Sequence, residues 1–440
     1  MKWGQDFRRA VLVGETGRTA TRSKPVRGPL PAHLPRERIV IPGPTVCPCC
    51  QGRLAKLGET ITETLEVIPR QWKVIQTVRE KFTCRACETI TQPPAPFHPI
   101  ARGRAGPELL AMILEAKFGQ HLPLNRQSET YAREDIHLDV STMADWVGAC
   151  TAALAPLVAL IRAHVLGAAR IHGDDTTVPV LARGKTITGR LWTYVRDDRP
   201  FGGPAPPAAL FHYSRDRGGE HPRQHLANYA GILQADAYAG FERLYASDRE
   251  PGQITPVACW AHARRKLHDV FKADEHSVAR QGLDMIRDLY AIERQIDGAP
   301  AEQRRQARAV SKAKALEFFA WADEVLSKVS ARSPLAEALR YAVKLKPQLL
   351  TYTQDGRLEI DNNPAENALR GICLGRKNWL FAGADCGGER AAAMYSLLET
   401  AKLNSVNPQE WLANVLDRIG KGHPINRIDE LLPWIWEQAI

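Results

Sequence analysis

The sequence predicts a multidomain α+β protein, and three observations carry that expectation. Two close cysteine pairs, Cys47-Pro48-Cys49-Cys50 and Cys84-Arg85-Ala86-Cys87, flank a stretch of strand-like alternation. A helical run follows between Pro107 and His164. From Ala168 the apolar pattern changes to a period of two, and it later gives way to long charged helices. At 440 residues the chain has room for about two to four domains.

Composition narrows the class. Hydrophobic residues make up 44% and charged residues 25%, values of a globular protein rather than a disordered or membrane-embedded one. The longest apolar run, Ala152 to Ile161, is broken by Pro156 and falls short of the ~20 residues a bilayer span needs. The N-terminus has one apolar patch, Ala10 to Val13, and no cleavage pattern, so a cytoplasmic location without a membrane partner is expected. Lysine plus arginine outnumber aspartate plus glutamate by 59 to 49, which suits a polyanionic partner.

In chain order, residues 1–45 read as a flexible basic arm: rich in Pro, Gly and Thr, with nine basic and three acidic residues in the first forty. Residues 46–92 read as a zinc-ribbon-like domain. Thiolates two residues apart can turn toward one ion, so Cys47, Cys50, Cys84 and Cys87 are the expected ligands of a structural Zn²⁺. The Ile61 to Phe82 stretch alternates as a hairpin would, and Cys49 is a bystander. The 33-residue gap between pairs is longer than usual for a ribbon, and a buried cysteine cluster or redox pair is the alternative. After the proline-rich Gln92 to Pro99 linker, residues 100–165 are helical. Asn125 to Arg133 leads through Ile136 to Val140 into a second helix bearing Met143, Trp146 and Val147, with Ser141 expected as its cap. This resembles a helix-turn-helix suited to DNA, although a plain helical hairpin has the same pattern.

Residues 168–260 give strands at Arg170–Val180, Gly189–Arg196 and Ala208–Tyr213, a helix over His221–Tyr229, a strand at Ile232–Ala235, a helical turn at Phe241–Tyr245 and a strand at Pro256–Cys259. Three strands in a meander, then helix, strand, helix, strand, is the order of a ribonuclease-H-like fold. Residues 261–355 are expected as a helical insertion, with Leu283, Ile286, Leu289, Tyr290 and Ile296 on an apolar stripe. Residues 356–405 then return to the core through a helix carrying Glu366, Leu369 and Ile372 and another from about Glu389 to Leu403, and 406–440 form a helical tail.

Three acidic strings stand out: His172-Gly173-Asp174-Asp175-Thr176, Gln234-Ala235-Asp236-Ala237-Tyr238, and Asp361-Asn362-Asn363-Pro364-Ala365-Glu366-Asn367. The first two follow β-like runs and the third opens a helix. Carboxylates that converge repel one another, so convergence implies hard divalent ions such as Mg²⁺ or Mn²⁺. A pair of such ions about 3.5–4 Å apart supports phosphodiester chemistry. The competing reading is three unrelated surface acids.

Further strings decide between them: Ile171 to Pro179, Gly189 to Asp198, Leu233 to Gly240, Val257-Ala258-Cys259-Trp260-Ala261-His262-Ala263-Arg264-Arg265-Lys266, and Ile360 to Phe381. With the Cys47 to Cys87 part, they resemble the transposases of the insertion-sequence-66 family over nearly the whole chain. The resemblance implies a ribonuclease-H-like catalytic core with two Mg²⁺ or Mn²⁺ ions held by Asp174, Asp236 and Glu366. It also implies double-stranded DNA partners (element ends and target), at least a dimer on DNA, and accessory proteins from the same element. Asp175 is the fallback for the first position, because adjacent strand residues face opposite sides. Asp361, five residues before Glu366, is expected to cap rather than bind metal. Cys259 and His262 either bind a metal or brace the last strand against the insertion. Arg264, Arg265, Lys266, Arg370, Arg376 and Lys377 are expected to hold DNA phosphates, a solvated helical face being the alternative, and Trp260 and Trp379 could stack on an unpaired base, although such tryptophans are more often core. A catalytically inactive DNA-binding regulator and a structure-specific nuclease are the alternatives.

Overall fold

The computed structural model describes residues 103–275 and 277–436, and before them 35–40, 48–53, 61, 62, 64, 70–83, 85–87, 90–94, 98 and 100. Two compact units, 1–93 and 94–440, divide the chain. In the first, strands β1 (Phe82–Thr83) and β2 (Ile90–Thr91) pair antiparallel and flank the second cysteine pair. A hairpin sits at that pair, and among the described residues of the Ile61 to Phe82 stretch only Phe82 is in a strand. Val74, Ile75 and Val78 are 89%, 74% and 81% exposed, so their alternation has no facing layer to bury against. Cys50 and Cys87 are exposed, while Cys47, Cys84 and most of the basic arm lie outside the described residues.

The second unit opens with four helices, α1 (Pro107–Phe118), α2 (Leu124–Ala132), α3 (Val140–Ala153) and α4 (Ala155–Leu166). Proline in the first turn of α1 and α4 sets the helical φ where its missing N–H has no partner to lose. Ser141 is not the cap of α3. Asp139, extended at φ −67° and ψ 141°, holds that position, and Ser141 falls inside the first turn.

Strands β3 (Arg170–Ala182), β4 (Lys185–Arg196), β5 (Ala208–Ser214), β6 (Ile232–Ala235) and β7 (Thr255–Ala258) form one sheet in the order β5-β4-β3-β6-β7. The first three make an antiparallel meander, and β6 and β7 add in parallel beside β3. Gly184, at φ +70°, supplies the left-handed residue of the two-residue β3–β4 turn. Helix α5 (Glu220–His225) is shorter than the expected His221–Tyr229, because Leu226 leaves helical geometry. Cys259 lies outside β7 and is the N-cap of the next helix.

After β7 come α6 (Trp260–Ala273), α7 (Ala279–Gln295), α8 (Ala301–Lys328), α9 (Pro334–Lys344) and α10 (Lys346–Leu350). They bury a core of their own around Trp260, Phe318, Phe319, Leu339 and Leu349. Trp260 is fully buried there and donates Nε1–H to the Leu349 carbonyl at 2.9 Å, so it is a core residue and not a stacking platform for a base.

The chain then returns through α11 (Asn363–Gly375), packed on β3 and β4, and α12 (Asp385–Leu403), which covers β5. Ser396 and Thr400 of α12 accept the backbone N–H groups of Phe211 and Ala209, at 2.8 and 3.2 Å, so the outer edge of β5 is satisfied. Helix α13 (Pro408–Gly420), capped by Asn407, folds back onto α1. Among the described residues no single helix is long and apolar enough to cross a membrane.

Candidate active site

The register of the parallel strands brings the first two acids together. His172 pairs with Gln234, so two residues further along the same register Asp174 stands beside Asp236, just past the end of β6. Neighbouring strands lie about 4.8 Å apart. On the other side, Ala235 pairs with Ala258, which carries Cys259 to the same end of the sheet and starts α6 there.

The third acid comes back from the far side of the helical insertion, and a set of polar clamps guides it. Gln234 of β6 makes a reciprocal pair with the Glu359 backbone: its Nε2 donates to the carbonyl at 2.8 Å and its Oε1 accepts the N–H at 2.9 Å. The Trp260 N–H bonds to the Ile360 carbonyl at 3.1 Å. Asn362, fully buried, donates its Nδ2–H to the Gly173 carbonyl at 2.9 Å and meets His172 Nδ1 through Oδ1 at 3.0 Å. Its own N–H reaches Cys259 Sγ at 3.3 Å. Helix α11 begins immediately afterwards, with Glu366 in its first turn. Asp361 is not the cap of α11: Asn362 holds that position, and Asp361, one residue before it, accepts the Asn363 N–H at 3.1 Å and its Nδ2–H at 2.8 Å.

Charge in this cluster is poorly compensated. Burial, followed by the neighbouring charges of Asp236, Asp175 and Glu366, pushes the Asp174 carboxyl up to about 8, against the opposing pull of the Asp175 N–H. Burial also raises Asp236, while His262 and Arg217 act the other way. No ion pair reaches Asp174 among the described residues. Glu366 has only loose partners, His262 Nδ1 at 3.9 Å and Arg265 at 3.7 Å. Glu366 Oε1 and His262 Nδ1 are both buried without a hydrogen-bond partner. Carboxylate oxygens from three elements, one of them orphaned, fit the hard-donor preference of Mg²⁺ or Mn²⁺. Cys259 Sγ and His262 lie within 4.8 Å of Glu366 and of each other. Burial pushes the Cys259 thiol up to about 12, and it accepts the Asn362 N–H, which is how it braces the strand end against α11.

Asp175 faces the other side of β3, where it is paired with Arg190 at 2.9 Å and Arg217 at 2.8 Å. Of the expected DNA-facing cations, Arg265, Arg370 and Lys377 are exposed. Lys266 lies over the Tyr341 ring at 4.9 Å, and Arg376 ties itself to Thr177 of β3, donating to its carbonyl at 2.7 Å. Further along the Asp174 face of β3, a cavity of about 730 Å³ is lined by Lys117, Arg126, Arg376, Lys377 and Arg390, with Trp379 and Phe381 among its apolar walls and no acidic residue. Gln234 and Asn362 are positioning residues that sequence reading did not single out, although both sit inside the quoted acidic strings, and Arg217, 3.6 Å from Asp236, was not singled out either.

Comparison with known proteins identifies the family. The model of the IS66 family transposase matches residues 102–390, that of the IS66 C-terminal element residues 396–434, and that of the zinc-finger binding domain of IS66 transposase residues 44–88. The uncharacterized protein y4hP of Sinorhizobium fredii is 50% identical over 437 residues, covering 96% of this chain and 79% of the relative. The uncharacterized protein y4jD of the same organism is 37% identical, covering 93% and 82%. With all three parts matched in order, and the acidic strings falling within the largest of them, the chain belongs to the IS66 transposase family.

Proposed function

We propose that the chain cuts DNA at the ends of an insertion element and joins the freed 3′-hydroxyl to target DNA. Its ribonuclease-H-like core would be residues 168–260 and 356–405, interrupted by the 261–355 insertion. What supports the reading is the register of β3 and β6, which sets Asp174 beside Asp236 at the sheet end from which α6 starts, together with a buried Glu366 oxygen that has no hydrogen-bond partner. Bound divalent ions would supply activation of the attacking oxygen and stabilisation of the leaving one. Asp174, Asp236 and Glu366 offer the oxygen ligands, and Asn362 and Cys259 fix the start of the helix that presents Glu366. Arg265 and Arg370, both exposed, would hold phosphates beside the carboxylates, and the basic cavity beyond Val178 would suit a strand leading away from them. The family match over 44–88 supports Zn²⁺ at Cys47, Cys50, Cys84 and Cys87.

Replacing Asp236 by Ala is expected to bring Mg²⁺-dependent cleavage of an element end down to background, with DNA binding retained. Full cleavage by that variant would sink the reading. A strand-transfer assay on a pre-cleaved end separates a transposase from a nuclease, which yields no joined product. For zinc, elemental analysis should find the metal in the purified protein and less of it after Cys87→Ser; unchanged content would remove Cys87 from the ligand set.

A further inference from the structure

Asp175 is turned away from Asp174, yet it is among the most engaged side chains near the site. Its carboxylate is 2% exposed. Arg190 Nη1 donates to Oδ2 at 2.9 Å, and Arg217 donates to Oδ1 through Nε at 3.0 Å and Nη2 at 2.8 Å. One carboxylate thus holds two guanidinium groups. The second of them also faces a site acid, because Arg217 Nη2 lies 3.6 Å from Asp236 Oδ2. Aromatic contacts complete the loop. The Arg217 guanidinium lies over the Tyr238 ring at 4.1 Å, the Tyr238 hydroxyl donates to the Arg217 carbonyl, and the Tyr238 N–H donates to Asp236 Oδ1 at 3.2 Å.

The distances rank the two carboxylates competing for Arg217. It makes hydrogen bonds at 2.8 and 3.0 Å to Asp175 and only a loose ion pair at 3.6 Å to Asp236. A charge-assisted hydrogen bond is much stronger than an ion pair without one. We propose that Asp175 is a positioning residue that holds Arg217 back from Asp236, leaving an Asp236 oxygen open to a divalent cation. This rests on the reading of Asp236 as a metal ligand. Asp175 does its work without touching the metal, in contrast to the other role open to it, that of first ligand in place of Asp174.

Removing the restraint should let Arg217 swing onto Asp236 and compete with the cation. Mn²⁺ titrated calorimetrically into the zinc-replete, DNA-free full chain reads this directly. Asp175→Asn is expected to weaken Mn²⁺ binding about tenfold, roughly 1.4 kcal/mol. Asp175→Asn combined with Arg217→Gln should recover to within about threefold of the wild type, because the competing cation is gone. Arg217→Gln alone, at a half-exposed residue whose loss should not unfold the chain, should bind Mn²⁺ as tightly as the wild type or more tightly. In cleavage assays Asp175→Asn should shift the Mn²⁺ midpoint upward and leave the plateau rate in place.

A double variant that binds as weakly as Asp175→Asn would overturn the proposal, as would weaker binding by Arg217→Gln alone. If Asp175→Asn proves unfolded by its melting curve, the Arg217→Gln result decides by itself. Wild-type Mn²⁺ binding by Asp236→Ala would instead overturn the ligand reading beneath it, so the two failures are distinguishable.

Discussion

Two buried assemblies of charge sit at either end of the same short segment, residues 352–366, and they are built on opposite principles. On the insertion side, Arg308 is 0% exposed and forms a two-pronged pair with Glu293, at 2.9 Å from Nε and 2.6 Å from Nη2. Its remaining Nη1 donates to the Tyr352 and Asp355 carbonyls, both at 3.0 Å. Arg304 pairs with Glu359 at 2.9 Å and lies 3.6 Å from Glu293. Two arginines meet two glutamates, and the assembly bolts α7 and α8 to the strand of chain that leads into α11. On the sheet side, Asp236 and Glu366 have only loose cationic partners and Asp174 has none among the described residues. The first cluster is balanced in charge, although Arg304 Nε and Nη1 are buried without hydrogen-bond partners, whereas the second is short of cations.

The comparison predicts opposite signs for similar substitutions. The largest effect belongs to Glu366→Gln, which should reduce metal-dependent cleavage by about 10⁴-fold or more while the metal-free melting temperature stays level or rises. Next, Arg308→Met should destabilise the chain by about 3–5 kcal/mol in denaturant unfolding, because it strands Glu293 in the interior. If Arg308→Met instead left stability unchanged, the balanced cluster would not be the bolt described above. Asn362→Ala should cost about 1–3 kcal/mol by leaving the Gly173 carbonyl and His172 without their partner. It should also lower the cleavage rate at saturating metal, since Glu366 is presented by the helix that Asn362 anchors. Asp174→Asn should stabilise the metal-free protein by about 1–2 kcal/mol, the reverse of Arg308→Met, because it removes a buried carboxyl with no cationic partner.

The unbalanced cluster was far easier to read from the sequence than the balanced one. Asp174 lies within β3 and Asp236 just past the end of β6, so the strand-like runs around them marked the first two acids, while Glu366 was picked out by the family strings. Strand period and turn residues also gave the element order through β7 nearly as observed. What the sequence withheld was partnership. Arg304, Arg308 and Glu293 look like the solvated face of charged helices, and only the packing of α7 against α8 turns them inward. Arg217 sits in a loop after β5 with no motif to mark it, and its role depends on Asp175 and Asp236 arriving on either side. Ser141 failed for the same reason at smaller scale. Residue type suggested a cap, but the extended Asp139 holds that place, while Trp260 packs against Phe318 and Phe319 in the core, the commoner of the two roles open to it.

A third way of handling buried ionisable groups lies between these two clusters and tests the smallest effect. His212 of β5 and His225 of α5 stack with ring centroids 4.1 Å apart and planes within 13°. His212 Nδ1 faces Arg162 at 3.3 Å, and His225 Nδ1 meets the Tyr194 hydroxyl at 3.2 Å. Burial, then each other's proximity for His212 and the neighbouring His221 for His225, pushes them down to about 2 and about 3. Neither balance nor an added cation is needed here, because both rings stay neutral. The unfolded chain protonates these histidines near pH 6.5 and the folded one does not, so stability is full above that pH and falls as the pH drops below it. Each ring should cost about 1 kcal/mol per pH unit below 6.5. Asp174 and Asp236, raised by burial, act in the opposite sense, since their protonation on acidification favours the folded state. The histidine contribution therefore shows only as a difference. His212→Phe, which keeps the stack on His225, should lose less stability than the wild type between pH 6.5 and 5.5, by about 1 kcal/mol in parallel denaturant titrations. Parallel pH curves for the two proteins would mean that the stacked pair takes up protons within the fold, and the neutral interior inferred for it would be wrong.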